Sequence, residues 1–381
     1  MDQVVSAQVG NPLLGLQTQG QSIWLDSISR QLLRSGQLKK LIDEDGLRGV
    51  TSNPTIFEKA ITGSHDYDPE MDKLSKQGAS VDEIYEALVV EDIQAATDLF
   101  QTVYRETQGL DGYVSLEVSP RLAHQTDKTI EEARRLWKRV SRPNVMIKVP
   151  ATPEGIPAIE TLISEGINVN VTLMFSPSHY VSVAEAYLRG LEIRARNGQP
   201  LRLGSVASFF VSRVDTLIDR LLDQALAASK GQEALIQSLM GQAAIANSRL
   251  VYQKFKEIFS ESNFGSLRKR GARVQRPLWA STSTKNPKYR DVLYVEELIG
   301  PETVNTLPPA TVDAFRDHGK VSARLEQDLD AAKILFTRLA ALGIDIEQVG
   351  KTLQTEGVKL FLDSFETLIR AIAAKKESLS H

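Results

Sequence analysis

Eight short apolar segments, most of them followed by a stretch of helical periodicity, constrain the fold of this chain more than any other sequence feature. They are rich in β-branched and aromatic residues, which favour strands. Eight strands alternating with helices are typical of a (β/α)₈ TIM barrel, and 381 residues suit one with extra helices. A doubly wound sheet is the alternative, but no glycine-rich dinucleotide turn follows the first strand. The predicted strands span residues 22–26, 47–52, 113–118, 145–149, 167–175, 203–211, 277–281 and 303–307.

The domain prediction is correspondingly simple. Residues 1–20 are rich in Gln and Gly without clear periodicity, and we expect a loosely ordered N-terminal arm. Residues 21–381 are expected to form one barrel domain that includes the C-terminal helices. The amphipathic segment 346–374 is predicted to be helical, and its apolar face suits either the core or an interface in a homo-oligomer.

Composition excludes several classes of function. The net charge of -3 gives no electrostatic reason to expect a nucleic-acid partner. No apolar run approaches the roughly 20 residues that span a bilayer, and no secretory signal begins the sequence, so we expect no membrane association. The absence of cysteine excludes thiolate chemistry and suits a reducing, cytoplasmic location. The cluster at residues 65–70 lacks the glycine and downstream glutamate of a calcium loop, so we expect a solvated acidic loop and no metal site.

The predicted fourth strand carries a lysine where a buried strand would disfavour charge. Lys148 stands among Val145, Met146, Ile147 and Val149. One interpretation is that Lys148 lies at the strand end and extends its amine into water. The other is that burial lowers its pKa and leaves a free amine that can attack a carbonyl.

Other predicted strands place polar residues at the same end of the barrel. Because side chains alternate along a strand, the apolar face of each strand is expected to contact the helices and the polar face to point inward. Active sites of this fold lie at the carboxyl ends of the strands. The residues that meet both conditions or closely follow such a strand end are Asp26, Asn53, Glu117, Asn170, Thr172, Ser208 and Arg213.

Seven segments, six of which carry Lys148 or one of these residues, resemble the transaldolase family. The resemblance extends over most of the chain, and residues 289–319 resemble the longer bacterial subgroup. The segments are LDSISR (25–30), GVTSNPTIFEKAI (49–61), VSLEVSPRLA (114–123), MIKVPATPEGI (146–156), INVNVTLMFS (167–176), SVASFFVSRVD (205–215) and LWASTSTKNP (278–287).

The resemblance implies a cofactor-independent, metal-free transfer of a dihydroxyacetone unit between sugar phosphates. It assigns Lys148 as the Schiff-base lysine and Asp26 as the general base for the donor C4 hydroxyl. Glu117 would relay protons through a water held with Thr172. Asn53 and Asn170 would bind the dihydroxyacetone unit.

The resemblance also implies a phosphate site. Arg213 matches the family's phosphate-binding arginine, and Ser208 in the same segment is a weaker polar candidate. A second arginine is expected in a pattern like A-S-x-R-N, but this chain has a segment two residues longer, with Lys285 at that place. Two further interpretations stay open: a fructose 6-phosphate aldolase that releases the unit to water, and a sugar-phosphate-binding barrel without imine chemistry.

Overall fold

A computed structural model describes residues 10–228 and 231–379. Its eight strands are all parallel and close into a barrel in chain order, with β8 paired to β1. The predicted (β/α)₈ fold is therefore confirmed, and each predicted strand overlaps one in the structure. The strands are β1 (Gln21–Leu25), β2 (Gly49–Val50), β3 (Tyr113–Glu117), β4 (Val145–Pro150), β5 (Val169–Met174), β6 (Ser205–Phe210), β7 (Arg276–Ala280) and β8 (Thr303–Leu307).

Helices surround the barrel and fill the connections. A short 3₁₀ turn, Pro120–Leu122, follows β3. The helices are α1 (Pro12–Thr18), α2 (Arg30–Arg34), α3 (Gln37–Asp45), α4 (Pro54–Thr62), α5 (Asp68–Lys76), α6 (Val81–Leu99), α7 (Gln101–Glu106), α8 (Thr126–Val140), α9 (Gly155–Glu165), α10 (Pro177–Arg196), α11 (Ser212–Ala228), α12 (Glu233–Leu239), α13 (Ala243–Ile258), α14 (Glu261–Lys269), α15 (Leu293–Glu297), α16 (Pro309–His318), α17 (Leu329–Ala341) and α18 (Ile346–Leu379).

Two local predictions are wrong for the residues that the structure describes. Part of the expected arm is the helix α1, whose Leu13 and Leu16 are buried against the barrel. Asn11 caps this helix by accepting a hydrogen bond from the backbone N–H of Leu13, and a proline occupies its first turn. Residues 1–9 lie outside the described residues. The expected acidic loop 65–70 runs into helix α5, which begins at Asp68.

Strand register brings the predicted polar residues to one level. Lys148 lies opposite Glu117 of β3 on one side and opposite Asn170 of β5 on the other. Glu117 is the last residue of β3 and Lys148 lies in the second half of β4, so both are near the carboxyl-terminal mouth of the barrel, whereas Asn170 is the second residue of β5, which begins at this level. The opposite face of β4, with Val145, Ile147 and Val149, is fully buried in the core, as the alternation predicts.

The long helix α18 lies across part of that mouth. It packs against α4, α6 and α11 and against β5, with buried Phe361, Leu368 and Ile372 on its inner face. The apolar stripe of segment 346–374 thus contributes to the core. Gln354 ties the helix to the strand ends, because its Nε2 donates to the carbonyls of Ala151, just after β4, and Leu173 of β5.

An irregularity in β5 lies beneath this helix. Leu173 has a left-handed φ of 64°, and the pairing of β5 with β6 shifts register between Val171 and Met174. A Cβ added to Gly357 of α18 would lie 2.9 Å from Leu173 Cδ2, so glycine lets the helix approach the strand closely. The strand end that carries Thr172 is therefore held between the sheet and α18.

The opposite end of the barrel, which we call the base, is closed by a buried ion pair. Arg276 at the start of β7 donates to Asp111 at 2.8 Å, and both side chains are about 6% exposed. Asp111 also accepts from Ser22 Oγ at 2.7 Å and from Trp24 Nε1 at 3.2 Å. Arg276 donates in addition to Ser22 Oγ and to the carbonyl of Leu110, so both charges are extensively hydrogen-bonded.

Candidate active site

Lys148 lies at the floor of the mouth cavity and is only 4% exposed. Its Nζ donates to the carbonyl of Ser52 at 3.0 Å and lies 3.2 Å from Glu117 Oε2. The ring of Phe361 faces the amine, with its centroid 5.6 Å from Nζ. The prediction that Lys148 extends into open water is therefore wrong; the amine is enclosed but still reaches the cavity.

Two oxygen atoms beside this lysine have unused hydrogen-bonding capacity. Glu117 Oε2 is in ion-pair contact with Lys148, but the geometry is not that of a hydrogen bond. Thr172 Oγ1 is buried and has no hydrogen-bond partner among the described residues. Buried polar groups normally have partners, so such atoms mark a place where a ligand or water belongs.

Burial also perturbs the acidity of Glu117. Removal from water raises the pKa of its carboxyl, the positive charge of Lys148 opposes this rise, and the negative charge of Asp26 adds to it. A carboxyl whose pKa is raised toward neutrality can hold a proton and return it, as a general acid and base must.

Asp26 stands on the far side of the cavity at the end of a hydroxyl chain. Thr51 Oγ1 donates to Asp26 Oδ1 at 2.7 Å, and Thr306 Oγ1 lies 2.7 Å from Thr51 Oγ1. Because a hydroxyl has one proton, Thr306 must donate to Thr51 when Thr51 donates to Asp26. Burial raises the pKa of Asp26, while Lys148 and the hydrogen bond from Thr51 act in the opposite direction. The carboxylate is thus a partly desolvated base held in one orientation.

The cavity between these groups has a volume of about 570 Å³. Its wall comes from the ends of several strands, from α4 and from α18. This position agrees with the general location of active sites in the fold. The predicted residues that line it are Asp26, Asn53, Lys148, Thr172, Ser208, Arg213 and Lys285.

The cationic side of the cavity combines Arg213 and Lys285. Burial lowers the pKa of both side chains, and the like charge of Arg213 lowers that of Lys285 further, which indicates that the two cations are close. Lys285 lies in the loop after β7 and donates to Ser283 Oγ at 2.8 Å. Lys59 of α4 lines the same cavity. Three cations at one cavity favour an anionic ligand.

Comparison with known proteins identifies the family of the chain. The family model described as Transaldolase/Fructose-6-phosphate aldolase matches residues 23–372. The chain belongs to this family. It is 48% identical over 377 residues to the transaldolase of Trichodesmium erythraeum (strain IMS101), which covers 98% of this chain and 99% of that protein.

Two further transaldolases give the same result. The protein of Thiobacillus denitrificans (strain ATCC 25259 / T1) is 51% identical over 354 residues, covering 93% of this chain and 97% of that protein. The protein of Mycobacterium marinum (strain ATCC BAA-535 / M) is 48% identical over 374 residues, with 97% and 99% covered. The resemblance to an enzyme of the transaldolase family is therefore confirmed.

Among the predicted site residues, the two asparagines have different environments in this family member. Asn53 caps α4, because its Oδ1 accepts from the backbone N–H of Ile56 at 2.9 Å, and its Nδ2 stays available at the cavity wall. Asn170 is fully buried and does not line the cavity. Its Oδ1 accepts from Ser208 Oγ at 2.7 Å and its Nδ2 donates to Ser115 Oγ at 2.9 Å. In this geometry Asn170 orients Ser208 rather than facing the cavity directly.

Several wall residues were missed by the sequence analysis. Thr51 and Thr306 lie on or beside short strands, where their hydroxyls gave no distinct signal. Phe361 comes from a helix more than two hundred residues after Lys148. The apolar periodicity of that helix predicted that Phe361 is buried, but not the surface against which Phe361 packs. One sequence signal could have pointed to Thr51, because it belongs to the same TSNP motif as Asn53.

Proposed function

We propose that this protein is a transaldolase that forms a Schiff base through Lys148. It would convert sedoheptulose 7-phosphate and glyceraldehyde 3-phosphate into erythrose 4-phosphate and fructose 6-phosphate, in the non-oxidative pentose phosphate pathway of the cytoplasm. The observation that carries the proposal is the enclosed amine of Lys148, which lines the mouth cavity together with Asp26 and is in contact with Glu117 behind the cavity wall; burial raises the pKa of both carboxyls. The transaldolase names of the relatives support the reaction.

Imine formation uses the Glu117 side of the cavity. After the proton on Lys148 has passed to Glu117, the amine adds to the C2 carbonyl of the ketose phosphate and gives a carbinolamine. Loss of its hydroxyl as water requires a proton donor, and Glu117, 3.2 Å from the amine, supplies it. Thr172 Oγ1, which lacks a partner among the described residues, would hold the relay water.

Bond cleavage uses the Asp26 side. Asp26 removes the proton from the C4 hydroxyl, the C3–C4 bond breaks, and its electron pair moves into the iminium to give an enamine. The aldose phosphate then leaves, and its aldehyde carbon is the former C4 of the donor. Because the donor is held between Lys148 and Asp26, proton removal and cleavage of the C3–C4 bond take place within one bound complex, as an effectively unimolecular step.

Transfer reverses these steps with a different aldehyde. The enamine adds to the acceptor, Asp26 returns the proton to the new hydroxyl, and water hydrolyses the imine to free Lys148. Arg213 and Lys285 would bind the phosphate away from the reacting carbons, the arginine with two parallel N–H groups. No redox cofactor is needed, because the donor carbon that becomes an aldehyde is balanced by the acceptor aldehyde carbon that becomes a secondary alcohol, so the transfer involves no net oxidation.

Borohydride trapping tests the imine. With fructose 6-phosphate, reduction should attach the three-carbon unit to Lys148, and Lys148→Met should lose both label and turnover. Lys59→Met is the matched control, since Lys59 lines the same cavity but is exposed. Unlabelled protein would favour the binding barrel without imine chemistry, and label on Lys59 would refute the assignment of Lys148.

A second measurement separates the two enzyme interpretations. Product formation from fructose 6-phosphate should depend on added erythrose 4-phosphate or glyceraldehyde 3-phosphate. Equally fast release of dihydroxyacetone without any acceptor would identify a fructose 6-phosphate aldolase instead. Asp26→Ala should still permit trapping of added dihydroxyacetone on Lys148 while abolishing cleavage of the ketose phosphate.

A further inference from the structure

A strongly basic segment lies at the base of the barrel, at the opposite end from Lys148. Residues 268–276 contain five arginines and lysines and no acidic residue, in a chain whose net charge is -3. The segment joins the end of α14 to the start of β7. The reaction proposed above has no use for it.

This segment forms one wall of a second cavity, of about 340 Å³. The cavity enters the base beside the first residues of β3, β4, β6 and β7 and the loop after α7. Its volume is in the range of small-molecule sites. The basic residues in its wall are Arg268, Arg273 and Arg276, and apolar residues in the wall include Leu110, Leu203, Phe264 and Val274.

The charges of this wall are not balanced. Arg276 is neutralised by Asp111, but Arg268 and Arg273 have no carboxylate within ion-pair distance in the part of the chain that the structure describes. Arg273 donates to the carbonyls of Gln108 and Gly109, and Arg268 to the carbonyl of Phe259. Carbonyls satisfy N–H groups but leave the positive charge in place.

Neighbouring guanidinium groups add to this excess. Arg202 donates to the carbonyl of Gln108, the same acceptor that Arg273 uses. Burial lowers the pKa of Arg273, and the like charges of Arg202 and Arg276 act in the same direction. Glu302 is the one carboxylate among the described residues of the wall. Like charges held this close repel one another, and a bound anion would relieve that repulsion.

We propose that the base cavity is a binding site for a small organic phosphate, distinct from the active site. Its phosphate group is held by Arg268 and Arg273, because guanidinium pairs with phosphate through parallel hydrogen bonds. The carbon part of the ligand lies against the apolar wall formed with Leu110 and Phe264.

Calorimetric titration with adenosine monophosphate tests this site, because that probe is no ketose and cannot be turned over. The full-length variant Arg213→Gln/Lys285→Gln removes the phosphate contacts of the active site and is the background for all measurements. We expect one molecule of adenosine monophosphate per chain. Inorganic phosphate should bind more weakly, since it cannot use the apolar wall.

Arginine variants in that background locate the site. Arg268→Gln should weaken binding by about tenfold, as expected for the loss of a charged hydrogen bond. Arg270→Gln removes the same charge two residues away; both arginines are exposed, but Arg270 donates to the carbonyl of Ala195 and does not line the cavity. It should change the affinity by no more than about twofold, the effect of a screened surface charge.

Arg273 holds the loop after α7, so its replacement would also disturb that loop, and Arg268 is the informative position. Hydrogen exchange gives an independent readout: the probe should slow exchange at residues 107–112 in the background variant. Absence of binding to that variant, equal affinity for inorganic phosphate, or equal weakening by Arg268→Gln and Arg270→Gln would each overturn the proposal.

Discussion

The two ends of the barrel each hold a buried ion pair between neighbouring segments, and the two pairs differ in how fully they are hydrogen-bonded. At the base, Asp111 accepts three hydrogen bonds and Arg276 donates three. At the mouth, Lys148 donates one hydrogen bond, to Ser52, and Glu117 Oε2 has none among the described residues. Buried charges that are saturated with partners stabilise one geometry, whereas unsaturated ones retain capacity for a substrate.

The largest effect on stability is expected at the base. Asp111→Asn leaves Arg276 buried without its counter-charge, and loss of one partner of a buried pair costs about 3–5 kcal/mol of unfolding free energy. Denaturant unfolding measures this, while turnover per folded molecule should change little. Asp98→Asn is the control, because Asp98 pairs with Arg142 but is 52% exposed, and it should cost no more than about 1 kcal/mol.

The reverse pattern is expected at the mouth. Glu117→Gln removes a proton donor and should lower kcat by about a hundredfold or more, the contribution of general acid catalysis. Its unfolding free energy should fall far less than that of Asp111→Asn, because burial already disfavours the ionised Glu117. A variant that unfolds like Asp111→Asn yet keeps its turnover would contradict the distinction between the two pairs.

A smaller effect is expected from the aromatic wall over Lys148. Phe361→Leu opens space beside the amine and should admit water to the enamine. Dihydroxyacetone release without an acceptor should then rise by several-fold, on the order of the discrimination that one apolar contact provides. Phe365→Leu, one turn along α18, is the control, since Phe365 packs on Tyr85 and does not line the cavity. Equal release by the two variants would remove Phe361 from this role.

The smallest effect is a shift in pH dependence. Asp26 must be ionised to act as a base, so burial moves the acid limb of kcat/KM above the usual aspartate range. The hydrogen bond from Thr51 lowers the pKa of Asp26, and Thr51→Val removes it. The acid limb should therefore move to higher pH, as a pH–rate profile would show. Thr161→Val, on α9 and away from the cavity lining, should leave the limb in place.

The sequence was sufficient for the parts of the molecule that depend on local pattern. Strand alternation predicted eight strands, the inward face of β4, and the meeting of Lys148 with Glu117, because period-two geometry fixes them. The two-residue length of β2 was not predicted, since the apolar run around it extends beyond the paired residues. The contribution of Phe361 depends on how α18 crosses the barrel, which no local pattern records.

The contacts of the polar side chains were harder to predict from the sequence than the positions of these residues in the barrel. Asn170 was predicted to bind substrate. Whether its amide faces the cavity or a neighbouring serine depends on the relative placement of adjacent strands, at distances shorter than the spacing of residues along a strand. The same holds for three other polar side chains: among the described residues, the side chain of Asn53 makes one hydrogen bond, that of Thr51 makes two and that of Thr172 makes none. A sequence motif can identify such residues, but only the three-dimensional structure shows which of their atoms already have hydrogen-bond partners.

The place of α18 in the chain has a consequence for biosynthesis. The barrel closes only when β8 pairs with β1, and Gln21 and Thr303 in that pairing are separated by most of the chain. A ribosome makes α18 after β8, so the eight strands can assemble before Phe361 and Gln354 leave the exit tunnel. Until then the amine of Lys148 faces the solvent of the cell. The nascent chain would thus place the lysine proposed to form the Schiff base first and complete the wall over that lysine last.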